Sequence, residues 1–129
     1  MAVDGRAGRW LAPIALMALI FVFSAQPNLS SGLGLIDLVG RKILHMAEFG
    51  ALCALWWRAL APSVRWDRAL VTAAAVAVLY AASDEWHQSL VPGRTGSPWD
   101  VLIDAAGVGL ASLVVLRVRA RGRTAPRAG

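Results

Sequence analysis

Residues 69–96 read ALVTAAAVAVLYAASDEWHQSLVPGRTG, and this stretch contains the two features that decide the fold. Its first part, 69–83, is apolar or small throughout, which is typical of a helix surrounded by apolar material. The run then ends in a polar cluster, and the chain turns at Pro92-Gly93. A helix end on a soluble protein needs no such cluster, so we expect the functional site here. The polar side chains of the cluster are Asp84, Glu85, His87 and Gln88.

The composition of the whole chain indicates a membrane protein. Of its 129 residues 57% are hydrophobic and 16% charged, with a mean hydropathy of +0.57. A soluble domain of this size needs a more polar surface, and the length suits a single domain over residues 1–129. Each apolar stretch spans about 23 Å of helix against a hydrocarbon core of about 30 Å, so the helices must extend past it. We predict an all-α bundle of four transmembrane helices around the apolar stretches 10–25, 43–57, 69–83 and 101–116.

The distribution of basic residues predicts how the bundle crosses the membrane. Ten of the thirteen Lys and Arg lie in the two termini and in the loop between the second and third stretches. The other three, in the two remaining loops, are Arg41, Lys42 and Arg94. Because cytoplasmic loops carry an excess of Lys and Arg, both termini should be cytoplasmic. The arginine-rich tail, 117–129, is then a topology signal that touches anionic lipid, and we expect no nucleic-acid partner.

Polar residues recur at helical spacing near one end of each predicted helix. Intervals of three, four, seven or eight residues put them on one face, although Glu85 should point about 100° away from Asp84. Such groups are retained in a membrane where they face the bundle interior or a wet cavity. We therefore predict one outward-facing cleft that all four helices line. The candidate ligand-binding residues are Ser24, Gln26, Lys42, His45, Glu48, Tyr80, Asp84, Glu85, His87, Gln88, Arg94, Asp100 and Asp104.

Several of these residues also have a purely structural interpretation. Tyr80 is typical of an interface anchor, and Arg41 can extend to the lipid headgroups. Asp100 is expected to cap a helix whose start is Ser97-Pro98, with Ser97 as the N-cap residue. Asp104, one turn deeper, has no capping role to explain it.

Other parts of the chain bear less on function. The segment 26–40 is too apolar for a free loop, and we expect a short helix lying in the membrane interface. Cys53 lies in the middle of a predicted span, where it is a small hydrophobic residue. The histidines and acids lack compact metal-ligand spacing, and Lys42 and Arg94 would repel a cation, so we expect no metal and no cofactor.

Five segments of the chain, taken together and in this order, form a specific pattern: Phe23-Ser24-Ala25-Gln26-Pro27, Lys42-x-x-His45, Ser83-Asp84-Glu85-x-His87-Gln88, Pro92-Gly93-Arg94-Thr95-Gly96 and Asp100-x-x-x-Asp104-x-x-Gly107. This pattern resembles the VanZ-like family of small bacterial membrane proteins, which is named for an accessory protein in teicoplanin resistance. The resemblance covers residues 20–112 and implies a role in the cell envelope, in the bacterial cytoplasmic membrane, rather than a particular reaction. Asp104 stands where many members of the family carry Asn, so the chain departs from the family pattern there.

The residues and the resemblance together leave three hypotheses. In the first, the cleft binds a lipid-linked or glycopeptide-type ligand, with Lys42 and Arg94 meeting its phosphate or carboxylate. In the second, the protein is a membrane-embedded enzyme whose candidate catalytic residues are His45, Asp84, Glu85 and His87. A proton-coupled transporter is the third, and it is disfavoured because no ionisable residue falls in the cytoplasmic half of any predicted span. The oligomeric state does not follow from the sequence.

Overall fold

The computed structural model describes residues 5–26, 32, 34–94 and 96–124, and the motif residues Pro27 and Thr95 and the tail residue Arg127 lie outside these ranges. Within them the chain forms four α-helices and no β-strand, which confirms the all-α prediction. Each helix extends past its apolar stretch at one end or both. The helices are α1 (Gly5–Ser24), α2 (Leu35–Leu60), α3 (Trp66–Ser89) and α4 (Pro98–Thr124).

Three of the helices, α1, α3 and α4, are long and apolar enough to cross a membrane. Helix α2 has 26 residues, which is long enough, but it is not among the three. Four polar side chains interrupt its apolar sequence, namely Arg41, Lys42, His45 and Glu48. Large apolar side chains on the flanks of the bundle are exposed, as expected of a surface that faces lipid.

The segment before α2 differs from the expected interfacial helix. Residues 35–40 belong to α2 itself, and Leu38 already donates its backbone N–H to the carbonyl of Gly34. The apolar residues that suggested a separate element are therefore the first turn and a half of a longer helix. The rest of that predicted element, 27–31 and 33, lies outside the described residues.

Contacts between the helices show that α1 runs parallel to α3 and that α2 runs parallel to α4. Met17 contacts Tyr80 and Ser24 contacts Gln88, so positions on α1 and α3 increase together. Helix α2 lies between the others: it packs against α1, α3 and most extensively against α4. Its buried face forms the core together with α3 and single residues of α1 and α4. The core residues are Ile20, Phe49, Leu52, Cys53, Ala73, Ala77, Ala81 and Val108.

The buried stripe of α3 consists of alanines. Ala69, Ala73, Ala77 and Ala81 follow one another at intervals of four residues, and each is fully buried. A stripe of small residues allows neighbouring helices to approach closely. At the end of α3 the same face becomes polar, since Asp84, Glu85 and Gln88 are also buried.

Helices α2 and α4 approach each other at two glycines. A Cβ atom on Gly107 would lie 2.8 Å from the Cα atom of Met46, and one on Gly50 would lie 2.9 Å from the Gly107 carbonyl oxygen. Real Cβ atoms essentially never come so close to backbone atoms, so larger residues would force the helices apart. The close packing of α2 and α4 just below Asp104 therefore depends on these two glycines.

The two ends of the bundle differ in chemistry. At the basic end, where α1 and α3 begin and α2 and α4 finish, the guanidinium of Arg119 lies 4.5 Å from the centre of the Trp66 ring. At the same end Arg65 and Asp67 form an exposed ion pair at 2.7 Å, and its hydrogen bonds raise the pKa of the Arg65 guanidinium. At the opposite end, which we call the polar end, α1 and α3 finish and α2 and α4 begin.

Candidate functional site

A pocket of about 190 Å³ opens at the polar end between α2, α3 and α4. Three of its lining side chains are cationic and three are acidic, and they are joined by a histidine and an amide. We call this cavity the polar pocket. Its lining residues are Leu38, Arg41, Lys42, His45, Glu85, Gln88, Gly93, Arg94, Asp100, Ile103 and Asp104.

The mouth of the polar pocket is bridged by an ion pair between α2 and α4. The Lys42 Nζ atom donates to Asp100 Oδ1 at 2.6 Å, and both side chains are about one-third exposed. Asp100 therefore does more than occupy the first turn of α4. Ser97 is the N-cap residue, as predicted, because its hydroxyl accepts the backbone N–H of Trp99 at 3.3 Å.

The floor of the polar pocket is formed by His45 and Asp104, each about one helical turn deeper than the ion pair at the mouth. The Nδ1 atom of His45 lies 3.5 Å from Asp104 Oδ1, which is too long for a hydrogen bond. Asp104 is 1% exposed, and neither of its carboxylate oxygens has a hydrogen-bond partner among the described residues. A buried carboxylate without a donor is costly, which makes Asp104 a candidate for contact with a ligand.

Asp84 lies beside the pocket and reaches it through Gln88. The amide nitrogen of Gln88 donates to Asp84 Oδ2 at 2.9 Å and to the hydroxyl of Ser24 at 3.3 Å. Asp84 is buried but is not among the lining residues. Ser24, Asp84 and Gln88 thus form one buried network that joins the ends of α1 and α3.

Glu85 forms part of the pocket wall and fixes the start of α4. Its Oε2 atom accepts the backbone N–H of Ser97 at 2.7 Å. The chain passes very close at Gly96, where a Cβ atom would lie 2.6 Å from the Glu85 carbonyl oxygen. Asp84 and Glu85 point in different directions, yet both are buried. The end of α3 is surrounded by α1, α2 and the start of α4, so each acid meets a neighbouring helix.

Arg94 is directed back toward α1 by the turn that precedes it. Val91 and Arg94 close this turn with a backbone hydrogen bond of 3.1 Å, and Gly93 has a φ of 80°. Pro92 followed by a glycine at positive φ is typical of a type II turn. The Nη1 atom of Arg94 then donates to three carbonyl oxygens at the end of α1, those of Phe23, Ser24 and Gln26, at 3.0–3.3 Å. Arg94 therefore caps α1 and lines the pocket at the same time.

Four other candidate residues lie away from the pocket lining. The Tyr80 hydroxyl donates to the Met17 carbonyl at 2.6 Å and so ties α3 to α1. The ring of His87 stacks on Phe21 at a centroid distance of 4.5 Å. Gln26 is exposed and contacts the Val22 carbonyl, and Glu48 is half-buried on α2.

Sequence reasoning missed part of the lining. Leu38 and Ile103 supply an apolar wall that no polar pattern could indicate. Arg41, for which contact with the lipid headgroups is one interpretation of the sequence, lines the pocket, and its spacing of four residues from His45 is an available signal.

The arrangement offers hydrogen-bond donors at the mouth and acceptors at the floor. It can hold an anionic group against Lys42 and Arg94, and it can present His45 beside a carboxylate. Among the described residues, no three His, Cys, Asp or Glu side chains converge in a way that could hold a metal ion.

The comparison with known families agrees with the motifs quoted from the sequence. The model of the VanZ/LLP1 family matches residues 9–119, which is most of the chain. A search of curated proteins and a search of solved structures found no match. With its apolar helices and this match, the protein is a membrane protein that belongs to the VanZ/LLP1 family.

Proposed function

We propose that the whole chain is one membrane domain of the bacterial cytoplasmic membrane, with four spans, both termini in the cytoplasm and the polar pocket facing outward. Support comes from the parallel pairing of α1 with α3 and of α2 with α4, which suits a chain that crosses four times. The excess of arginine at the basic end supports the same orientation. In this arrangement α2 also crosses the membrane, and its polar side chains Arg41, Lys42 and His45 face the pocket rather than lipid.

The same domain, in our proposal, binds a lipid-linked or glycopeptide-type ligand of the cell envelope. The polar pocket carries this proposal, since its lining combines Lys42 and Arg94 with the apolar Leu38 and Ile103. Only Nη1 of Arg94 is used on α1 in the contacts described above, so the guanidinium retains further N–H donors. Phosphate and carboxylate groups are the usual partners of such donors.

The test is recovery of the ligand from the purified protein. Native mass spectrometry of the protein extracted from bacterial membranes should detect a bound envelope molecule, and Lys42→Gln should reduce its occupancy. The matched control is Arg68→Gln, which removes an exposed cation outside the pocket. Equal occupancy in the parent and in Lys42→Gln would contradict binding in the polar pocket.

We also propose a role in teicoplanin-type resistance. A protein that binds an envelope precursor would limit the access of the antibiotic to that precursor. In a host in which the parent protein lowers susceptibility, Lys42→Gln should abolish the effect at normal membrane abundance, and Arg68→Gln should preserve it. If a host with Lys42→Gln is as susceptible to the antibiotic as a host with the parent protein, the pocket has no part in resistance.

The His45–Asp104 pair favours a second candidate, a membrane-embedded acid-base enzyme. A carboxylate beside an imidazole can orient it as a general base, and such contacts are often long before substrate binds. The same mass spectra discriminate the two: an unchanged ligand supports binding, and a chemically modified one supports catalysis. His87 is a weaker candidate for this chemistry, since its ring lies against Phe21 outside the pocket lining.

A further inference from the structure

The acids of the polar pocket are not equivalent. Asp100 accepts from Lys42, and Glu85 accepts the backbone N–H of Ser97. Asp104 is the exception in the described part of the chain, because it lines the pocket, is 1% exposed and receives no hydrogen bond on either oxygen. The Asp104 carboxylate at the floor of the pocket therefore lacks hydrogen bonds, which a ligand with N–H or O–H donors could supply.

The charges of the side chains that line the polar pocket favour a ligand without net charge. The lining contains three cations, Arg41, Lys42 and Arg94, and three acids, so the pocket is balanced while His45 is neutral. A purely anionic ligand would occupy the mouth and leave the Asp104 carboxylate with only the His45 ring beside it, at 3.5 Å. A ligand with one cationic and one anionic group could bind Asp104 with the first and Lys42 and Arg94 with the second. Such a ligand would leave the net charge of the pocket unchanged.

The two levels are separated by one helical turn. Asp100 and Asp104 are four residues apart on α4, a rise of roughly 6 Å. This is comparable to the separation of the two charged groups in an aminoethyl phosphate. The cavity of about 190 Å³ suits a small headgroup rather than a whole lipid or a glycopeptide.

We propose that the polar pocket binds an aminoalkyl phosphate zwitterion, with a primary ammonium on Asp104 and the phosphate on Lys42 and Arg94. This inference rests on the proposed binding function and names the chemical class of its ligand. A primary ammonium supplies three N–H donors, whereas a quaternary ammonium supplies none. A metal ion is disfavoured because it needs several ligands, and no group of three suitable side chains forms within the described ranges.

Lipid selectivity of the intact protein tests the proposal. The protein is reconstituted with equal amounts of phosphatidylethanolamine, its N-methylated derivatives up to phosphatidylcholine, and phosphatidylglycerol, all with the same acyl chains. Native mass spectrometry should show that phosphatidylethanolamine is retained about tenfold more than phosphatidylcholine, which corresponds to the loss of one charge-assisted hydrogen bond. Asp104→Asn should remove the preference, while Asp67→Asn, a change of an acid at the basic end, should preserve it.

A second arm separates a membrane lipid from a soluble source of the same chemistry. Free phosphoethanolamine is added to the reconstituted protein. If it displaces the lipid efficiently, the natural ligand can be a soluble aminoalkyl phosphate; if the lipid remains bound, the headgroup must be presented by the membrane. Both results support the zwitterion.

Equal retention of phosphatidylcholine and phosphatidylethanolamine by the parent protein would overturn the inference, even if Asp104→Asn failed to reach the membrane. Retention of phosphatidylglycerol alone, dependent on Lys42, would overturn it and leave the proposed binding function intact. If no lipid or free phosphate compound depends on Lys42, the proposed function itself fails.

Discussion

The substitution Gly107→Ala tests whether the close approach of α2 and α4 sets the geometry of the pocket. The added Cβ atom would lie 2.8 Å from both the Cα and the carbonyl carbon of Met46, and closer still to its oxygen. Carbon atoms prefer separations of about 3.5–4.0 Å, so the helices would have to move apart by roughly 1 Å. Backbone atoms of a helix cannot rotate out of the way, and the whole interface must respond.

Two opposing effects on the free energy of unfolding set the expected size of the change. Overpacking of this kind costs about 1–3 kcal/mol, whereas alanine in place of a helical glycine gains about 0.5–1 kcal/mol. We therefore expect Gly107→Ala to lower the free energy of unfolding by about 1 kcal/mol, within limits of about 0 and 2.5 kcal/mol. The same movement lengthens the Lys42–Asp100 and His45–Asp104 contacts, so ligand occupancy should fall with stability.

Two other glycines provide matched controls, one on the exposed face of α4 and one on α2 at the interface itself. A Cβ atom on Gly109, two residues further along α4, would meet nothing within 4 Å, so Gly109→Ala should be neutral or stabilising. Gly50→Ala should be intermediate, since its Cβ atom would meet the Gly107 carbonyl oxygen at 2.9 Å. The assay is unfolding in mixed micelles followed by tryptophan fluorescence. A Gly107→Ala protein as stable as Gly109→Ala would refute the packing argument.

Two further predictions concern topology and the turn before α4. In a Cys53→Ala background, a cysteine at the exposed Leu90 should react with an impermeant reagent added outside the cell, and one at the exposed Val64 should not; the reverse pattern would invert the proposed orientation. Arg94→Gln should lower the free energy of unfolding by about 0.5–1.5 kcal/mol, because the carbonyls at the end of α1 lose their donor. Arg68→Gln should leave it unchanged, and an equal loss in both variants would contradict a capping role for Arg94.

The sequence was sufficient to predict the helices and the end of the bundle at which the polar pocket opens. Long apolar stretches predict helices by hydropathy alone, and polar residues at the same depth predict a shared cleft. His45, Asp100 and Asp104 were identified in this way, and all three line the pocket. Asp104 in particular stood out because a carboxylate at that depth has no local backbone group to cap.

The pairing of the charged groups could not be predicted. Whether Lys42 meets Asp84, Asp100 or Asp104 depends on the rotation and register of α2 against α4, which the backbone contact between Met46 and Gly107 determines. Periodicity along one helix contains no information about this register. For the same reason the sequence could not distinguish Glu85, which lines the pocket wall, from Asp84, which is buried beside it.

Arg94 shows a different limit of sequence reasoning. A basic residue in a loop next to acids suggests a ligand contact, but its side-chain direction depends on the turn type. The positive φ of Gly93 directs the chain so that the guanidinium reaches the carbonyls of α1, more than 60 residues earlier in the sequence. Only the three-dimensional path reveals that contact.

The alanine stripe of α3 has a consequence for how the bundle can respond to a ligand. Alanine has no side-chain torsion to change, so the face formed by Ala69, Ala73, Ala77 and Ala81 cannot adopt alternative rotamers. A change at the pocket therefore cannot pass along this face through side-chain rearrangement; it must shift α3 as a rigid rod or remain at the polar end. Rotamer freedom is concentrated in the long side chains around the pocket, such as Lys42 and Arg94, where a ligand would be bound.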